Sequence, residues 1–299
     1  MEVSFVGLGR MGMPMCANLV RAGYAVTAGD VRPDREMQVT ACGARWGGKA
    51  AGAAGGADVL ITMLPGTQEL TEVMLGPDGV LAVLQPGATW IDMTSADPAA
   101  GRELAAAADG RGVGVLEAPV GGGVPAAVAG TLQLFVGGDT ALLKRHLALL
   151  QVLADPVRIS HVGGTGTGYT AKLLANLLWF GQAVATAEAL LLGRRAGIDL
   201  DVLRGVLADS APASHFITHD LSALFQGDYL ASFGLDRCCE ELAAVTALAR
   251  EGEVPFELSE HVERVYRRAL DRYGPADGEL LPIAMLEEQA GLHLRGGAA

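Results

Sequence analysis

The first thirty residues constrain this chain more than any other stretch. An apolar run at residues 3–6 starts almost at Met1, and the turn Gly7-Leu8-Gly9-Arg10-Met11-Gly12 follows. A helical pattern, a second apolar run at residues 25–28 and the acid Asp30 complete the unit. Each glycine has its own task in such a unit. The first makes the tight turn, the second lets backbone approach a pyrophosphate, and the third allows close helix–strand packing. The helix start offers unpaired N–H groups and the positive end of its dipole to phosphates. Asp30 lies eighteen residues past Gly12, near the spacing of about twenty at which a carboxylate reaches an adenosine ribose. Strand before, helix after and acid at that distance predict a dinucleotide site rather than a bare glycine turn.

At 299 residues the chain is long enough for two domains. Strand candidates fall at residues 3–6, 25–28, 59–63, 89–91, 114–116 and 132–136, with a short piece at 157–159. Helical patterns at 13–21, 98–108 and 141–150 lie between them. Such alternation predicts a mostly parallel sheet with helices on both faces. From about Gly163 long helical stretches at 170–196, 200–207, 235–251, 255–272 and 280–288 replace the strands. The expected fold is therefore α/β: an N-terminal Rossmann doubly wound domain over residues 1–162, then an all-α domain over 163–299. A cleft between them would seat a substrate beside a nicotinamide. Residues 295–299 read as a frayed end.

Charge and cysteine usage exclude several classes. A net charge of −12 without a basic run argues against nucleic acid, and mildly against anionic membrane surfaces. Residues 173–193 are apolar enough to suggest a membrane span, but Asn176, Gln182 and Glu188 within them point to a buried helix. Cys16, Cys42, Cys238 and Cys239 show no metal-ligand spacing, so no metal is expected and all four read as reduced thiols in a cytoplasmic protein. No secretory signal is expected, because the first apolar run is short and Glu2 stands where a basic residue would.

Four segments could carry chemistry. Asp30 favours NAD over NADP, since a carboxylate accepts hydrogen bonds from ribose hydroxyls and repels a 2′-phosphate, although Arg32 and Arg35 close by could accommodate NADP. Leu64-Pro65 closes a strand where its backbone could line the adenosine side. Lys172 and Asn176, four apart on one helix face among leucines, could supply a desolvated lysine that exchanges protons near neutrality, or merely a lysine snorkelling at a helix start. Gly121-Gly122-Gly123 could present N–H groups to an anion, or form a flexible turn. Ser95 could bond a substrate carboxylate or the nicotinamide, or cap the helix that starts near Pro98.

Taken together these segments resemble the β-hydroxyacid dehydrogenase family, which includes 3-hydroxyisobutyrate dehydrogenases and tartronate semialdehyde reductases and is related to 6-phosphogluconate dehydrogenase. The residues from Val6 to Met15 are similar to its cofactor signature, and Asp92-Met93-Thr94-Ser95-Ala96-Asp97-Pro98 to its D-x-S-T-x-x-P segment. Ala118-Pro119-Val120-Gly121-Gly122-Gly123 resembles A-P-V-S-G-G, and Gly166 through Asn176 resembles G-x-G-x-x-x-K-x-x-x-N. The resemblance implies Lys172 as catalytic acid/base, Asn176 as its substrate-positioning partner, Ser95 at a cofactor-contacting position, a small-molecule substrate, and a homodimer or homotetramer.

Two positions depart from the pattern. Gly121 replaces a serine, removing a hydroxyl but leaving the amides. The segment from Phe233 to Leu242 resembles F-x-L-x-L-x-x-K-D-L, so Glu240 stands where a cofactor- or substrate-side lysine is expected. An anion there disfavours a doubly charged acid and could favour a substrate bearing an amine. Arg237, one turn away, could restore the positive charge, and Glu240 could instead face solvent. Two other functions compete: an imine reductase, whose usual site lacks the lysine at position 172, and a dinucleotide-binding protein without catalysis, which would be expected to lose that lysine.

Overall fold

The computed structural model describes residues 1–295. Its first half runs β1 (Glu2–Val6), α1 (Gly12–Arg21), β2 (Ala25–Gly29), α2 (Glu36–Ala41), β3 (Arg45–Gly48), α3 (Ala50–Ala54), β4 (Val59–Thr62) and α4 (Thr67–Leu75). It continues β5 (Thr89–Asp92), α5 (Pro98–Asp109), β6 (Gly114–Glu117), β7 (Val120–Gly121), α6 (Gly123–Ala129), β8 (Leu132–Gly138), α7 (Thr140–Leu153) and β9 (Ala154–Gly163). These strands form one sheet in the order β3-β2-β1-β4-β5-β6-β8-β7, with β9 on β8. From β3 to β6 every pairing is parallel, the doubly wound arrangement.

Burial on both faces explains the continuous apolar runs of the central strands. Val3, Phe5 and Ile61 pack on one face with Met15 and Leu19 of α1, whereas Val6, Leu60 and Trp90 pack on the other with Leu70 of α4 and Leu104 of α5. Two strands escape the sequence pattern. Arg45-Trp46-Gly47-Gly48 of β3 lacks an apolar run, and β7 has only two residues. The β9 strand is longer than the expected 157–159 piece and largely exposed, so it carries few apolar residues, and it tolerates Pro156 as an edge strand does.

The chain divides into two compact units, the first ending at Lys172 and the second beginning at Leu173. Both cut points lie within α8 (Thr167–Arg195), a helix of 29 residues, roughly 43 Å long. It is followed by α9 (Leu200–Ala208), α10 (Leu221–Phe225), α11 (Leu235–Glu251), α12 (Glu257–Tyr273) and α13 (Leu281–Ala290). By length and composition α8 could cross a membrane, yet much of it packs into protein. Leu177 and Phe180 join Leu242 and Tyr266 in one cluster, and Ala187 and Leu190 join Phe216 and Leu224 in another. The end of the second unit is tied down at Arg295, contrary to the expected fraying from that residue. Its guanidinium donates to Tyr229 Oη at 3.0 Å and lies 3.4 Å from the buried Glu287 carboxylate. Residues 296–299 lie outside the described residues.

Candidate active site

The glycine-rich turn is built by steric exclusion. Gly7 has φ +96°, and a Cβ there would lie 2.2 Å from the Met63 carbonyl oxygen; one on Gly12 would lie 1.8 Å from that of Gly7. A Cβ on Gly9 would meet nothing within 4 Å. Gly7 thus lets the turn close against the residue that follows β4, Gly12 lets α1 close on the turn itself, and Gly9 leaves open space at the crest, the room a pyrophosphate needs beside backbone. Arg10 and Met11 lie between Gly9 and Gly12, where α1 begins.

Asp30 is fastened to this turn. One carboxylate oxygen accepts the Leu8 N–H at 2.7 Å, and the other accepts the Arg32 N–H at 2.9 Å and its Nε at 3.2 Å. Burial alone would raise the Asp30 carboxyl, but the hydrogen bonds from Arg32 and Leu8 and the Arg32 charge outweigh it and hold it below its ordinary value. Arg35 bonds Gln38 instead. Leu64 adjoins the turn as well: its Cδ2 lies 3.0 Å from where a Gly7 Cβ would be, and its N–H donates to Thr94 Oγ1 at 3.1 Å. Pro65 follows it and is exposed.

At the carboxyl ends of the strands, Thr62, Asp92, Glu117 and Gly137 are register partners in a row across the sheet. Asp92 is fully buried and accepts from Thr62 Oγ1 at 2.5 Å, Thr94 Oγ1 at 2.7 Å and Tyr169 Oη at 2.7 Å. Burial pushes its carboxyl up to about 6 against the pull of those hydrogen bonds. Glu117 accepts the N–H groups of Gly166 and Gly168, the latter at 3.0 Å. Burial raises this carboxyl too, opposed by the α8 backbone and by Arg102. Ser95 is half-buried just beyond Thr94. The cap of α5 is Asp97, which accepts the Ala99 N–H at 2.7 Å. Past Glu117, Gly122 and Gly123 both take positive φ (+106° and +64°), and Gly121 lies in β7.

Lys172 sits on α8 one turn beyond Gly168 and is half-buried, with Asn176 one turn further on the same face. In the second unit Asn176 Nδ2 donates to Glu241 Oε2 at 2.6 Å. Glu241 is buried, whereas the Glu240 side chain is 58% exposed and pairs with Arg237 at 3.0 Å. Sequence reasoning passed over Glu241, although it occupies the aspartate position of the K-D-L pattern that drew attention to Glu240. It also passed over Asp92, Glu117 and Tyr169 as supporting groups.

Fold and turn together define a protein that binds a nicotinamide dinucleotide on a Rossmann domain. Residues 2–163 match the NAD binding domain of 6-phosphogluconate dehydrogenase, and residues 166–285 match the NAD-binding domain of NADP-dependent 3-hydroxyisobutyrate dehydrogenase. The chain is 30% identical to a 2-(hydroxymethyl)glutarate dehydrogenase of Eubacterium barkeri, over 99% of this chain and 98% of that one. It is similar to a solved 3-hydroxyisobutyrate dehydrogenase of Mycobacterium tuberculosis with L-serine, at 30% identity and a TM-score of 0.85, covering 95% of this chain and 98% of that one. The chain belongs to the β-hydroxyacid dehydrogenase family and is an NAD(P)-dependent oxidoreductase acting on CH–OH groups. An imine reductase of Myxococcus stipitatus with NADP+ shares the fold alone, at 21% identity and a TM-score of 0.62 over 95% of this chain and 99% of that one.

Proposed function

We propose that this chain interconverts a hydroxymethyl group and an aldehyde on a small carboxylate, with Lys172 as general acid/base. The observation that carries the proposal is the place of Lys172: one turn past a helix start that Asp92 and Glu117 hold at the carboxyl ends of the strands. That is the edge at which open α/β sheets bind ligands. The nicotinamide supplies the hydride acceptor or donor when bound. Lys172 in its neutral form takes the hydroxyl proton during oxidation and returns it during reduction. Asn176 orients the reacting oxygen from the same helix face. Ser95 and the backbone amides of Gly121, Gly122 and Gly123 receive the carboxylate.

The cofactor contacts in this proposal are Gly7, Leu8, Gly9, Arg10, Met11 and Gly12 for the phosphates, Asp30 for the ribose, and Leu64 and Pro65 for the adenosine side. Glu240 is included among the cofactor contacts because it occupies the lysine position of the family pattern. NAD is preferred because Asp30 keeps its negative charge, and Arg32 leaves NADP as the weaker alternative. The protein works in the cytoplasm as a homodimer or homotetramer. The exposed leucines of α8 (Leu174, Leu178 and Leu192) support such an assembly.

Three compounds in the names of the relatives, 3-hydroxyisobutyrate, L-serine and 2-(hydroxymethyl)glutarate, each carry a hydroxymethyl group on the carbon that bears a carboxylate. Oxidation of these three with NAD, followed as NADH formation, tests the proposal. Turnover of at least one is expected, 2-(hydroxymethyl)glutarate being the poorest because Glu240 opposes its second carboxylate. No turnover of any of them, together with reduction of cyclic imines, would overturn it.

A further inference from the structure

Proton transfer by Lys172 gives no task to two fully buried carboxylates, Asp92 and Glu117, that stand opposite each other at the ends of β5 and β6. Burying a carboxylate is unfavourable unless its lone pairs are filled. Those of Asp92 are filled by hydroxyls whose protons have only one direction to go. Trp90 Nε1 donates to Thr62 Oγ1 at 2.8 Å, so the Thr62 proton points to Asp92. The Leu64 N–H donates to Thr94 Oγ1, so the Thr94 proton does the same. Tyr169 Oη closes the set from the first turn of α8, three residues before Lys172.

The same helix start is gripped from its other side. Glu117 accepts the N–H groups of Gly166 and Gly168, which α8 itself leaves unpaired. Close packing removes slack. A Cβ on Gly168 would lie 2.8 Å from the Phe135 carbonyl oxygen, and one on Gly101 would lie 2.4 Å from the Tyr169 ring. A cation near the positive end of a helix is electrostatically unfavourable, and the Glu117 carboxylate at that end offsets it.

We infer that Asp92 and Glu117 are positioning residues for the reaction: through Tyr169 and the first turn of α8 they hold Lys172 in register with the Leu64 turn on the cofactor side. The inference rests on Lys172 being the acid/base. It differs from a purely structural role in what it costs when lost. Misplacing a reacting group by about 1 Å can lower turnover about a hundredfold without changing binding elsewhere.

Tyr169→Phe keeps the ring against Gly101 and removes only the hydroxyl, whereas Glu117→Gln keeps the shape but removes the charge and one of the two acceptors, turning an amide NH2 toward a helix-start N–H. For each we expect kcat to fall about tenfold or more, with the dissociation constant of NADH within about twofold of wild type. The lost hydrogen bond at a buried carboxylate also lowers the melting temperature by several degrees, so kcat is read at a temperature where both variants remain folded. Tyr169→Phe combined with Asp92→Asn should lose no more than the larger single loss, because the two changes break one contact. Lys172→Ala is measured alongside. If Lys172→Ala abolishes turnover while Tyr169→Phe and Glu117→Gln keep wild-type kcat, the positioning inference is overturned and the acid/base assignment stands. If Lys172→Ala retains turnover, the acid/base assignment is overturned, and the inference with it. A fall in kcat that merely follows lost cofactor binding or lost folded protein also overturns it.

Discussion

Asn176 Nδ2 and Glu241 Oε2 are 2.6 Å apart, so the carboxylate takes the amide end of the side chain that follows Lys172 by one helical turn. A carboxylate that accepts only from nitrogen fixes which end of an amide it faces, and so fixes where the amide oxygen is presented. Glu241→Gln abolishes that preference. A hydrogen bond to a charged group is worth about 1.5–3 kcal/mol, so kcat/KM for the hydroxyacid should fall about tenfold or more, while cofactor affinity stays unchanged. Steady-state kinetics with NADH titration check both halves. Unchanged kcat/KM would remove Glu241 from the account.

In the proposed cofactor site, Arg32 is the group that sets how far Asp30 excludes NADP. Its guanidinium lies 3.2 Å from the carboxylate and is 46% exposed, so it can also meet a 2′-phosphate. Arg32→Ala leaves the carboxylate uncompensated. The KM for NADP should rise about tenfold and that for NAD by less than about threefold, as expected for loss of one charge-assisted contact to phosphate. Equal changes for the two cofactors would show that Arg32 takes no part in selecting between them.

Asp92 should leave its mark on stability against pH. Burial raises its carboxyl from 3.8 to about 6 on folding, so the folded protein holds a proton that the unfolded chain has released between those values. Stability from this group is therefore greatest below the unfolded value, falls as pH rises from 3.8 to about 6, and levels off above. Asp92→Asn lacks the titration. Denaturant melts at several pH values should show wild type losing stability relative to Asp92→Asn across that window, by an amount on the order of 2–3 kcal/mol. A difference that does not vary with pH would contradict the assigned burial effect.

Glu287 anchors the end of the second unit. It is buried and accepts from Tyr229, from the Leu294 N–H and from Arg295. Glu287→Ala removes one member and leaves the others without their acceptor, at a cost of roughly 2–4 kcal/mol. Denaturant unfolding measures it, and a loss below about 1 kcal/mol would mean the network is solvated.

The legible parts of this chain were those set by neighbours in sequence. The spacing from Gly7 to Asp30 and the parallel strands of the first half follow from local periodicity and turn chemistry, and so do the long helices after Gly163. Glycine-bearing β3 and two-residue β7 carry no such periodicity and exist through pairing alone. The supporting groups were hidden for a related reason. Tyr169 meets Asp92 from 77 residues away, and Gly166 meets Glu117 from 49, distances at which no spacing rule operates. Adjacent Glu240 and Glu241 part company because successive helix positions point about 100° apart, which places one outside and the other against Asn176.

In the proposed reaction Lys172 moves the proton. Turnover of Lys172→Ala on the hydroxyacid that wild type oxidises best, measured alongside its NADH dissociation constant, tests this most directly. Loss of a positioned acid/base should lower kcat by about a hundredfold or more, with NADH binding as in wild type. Near-wild-type kcat would contradict the account.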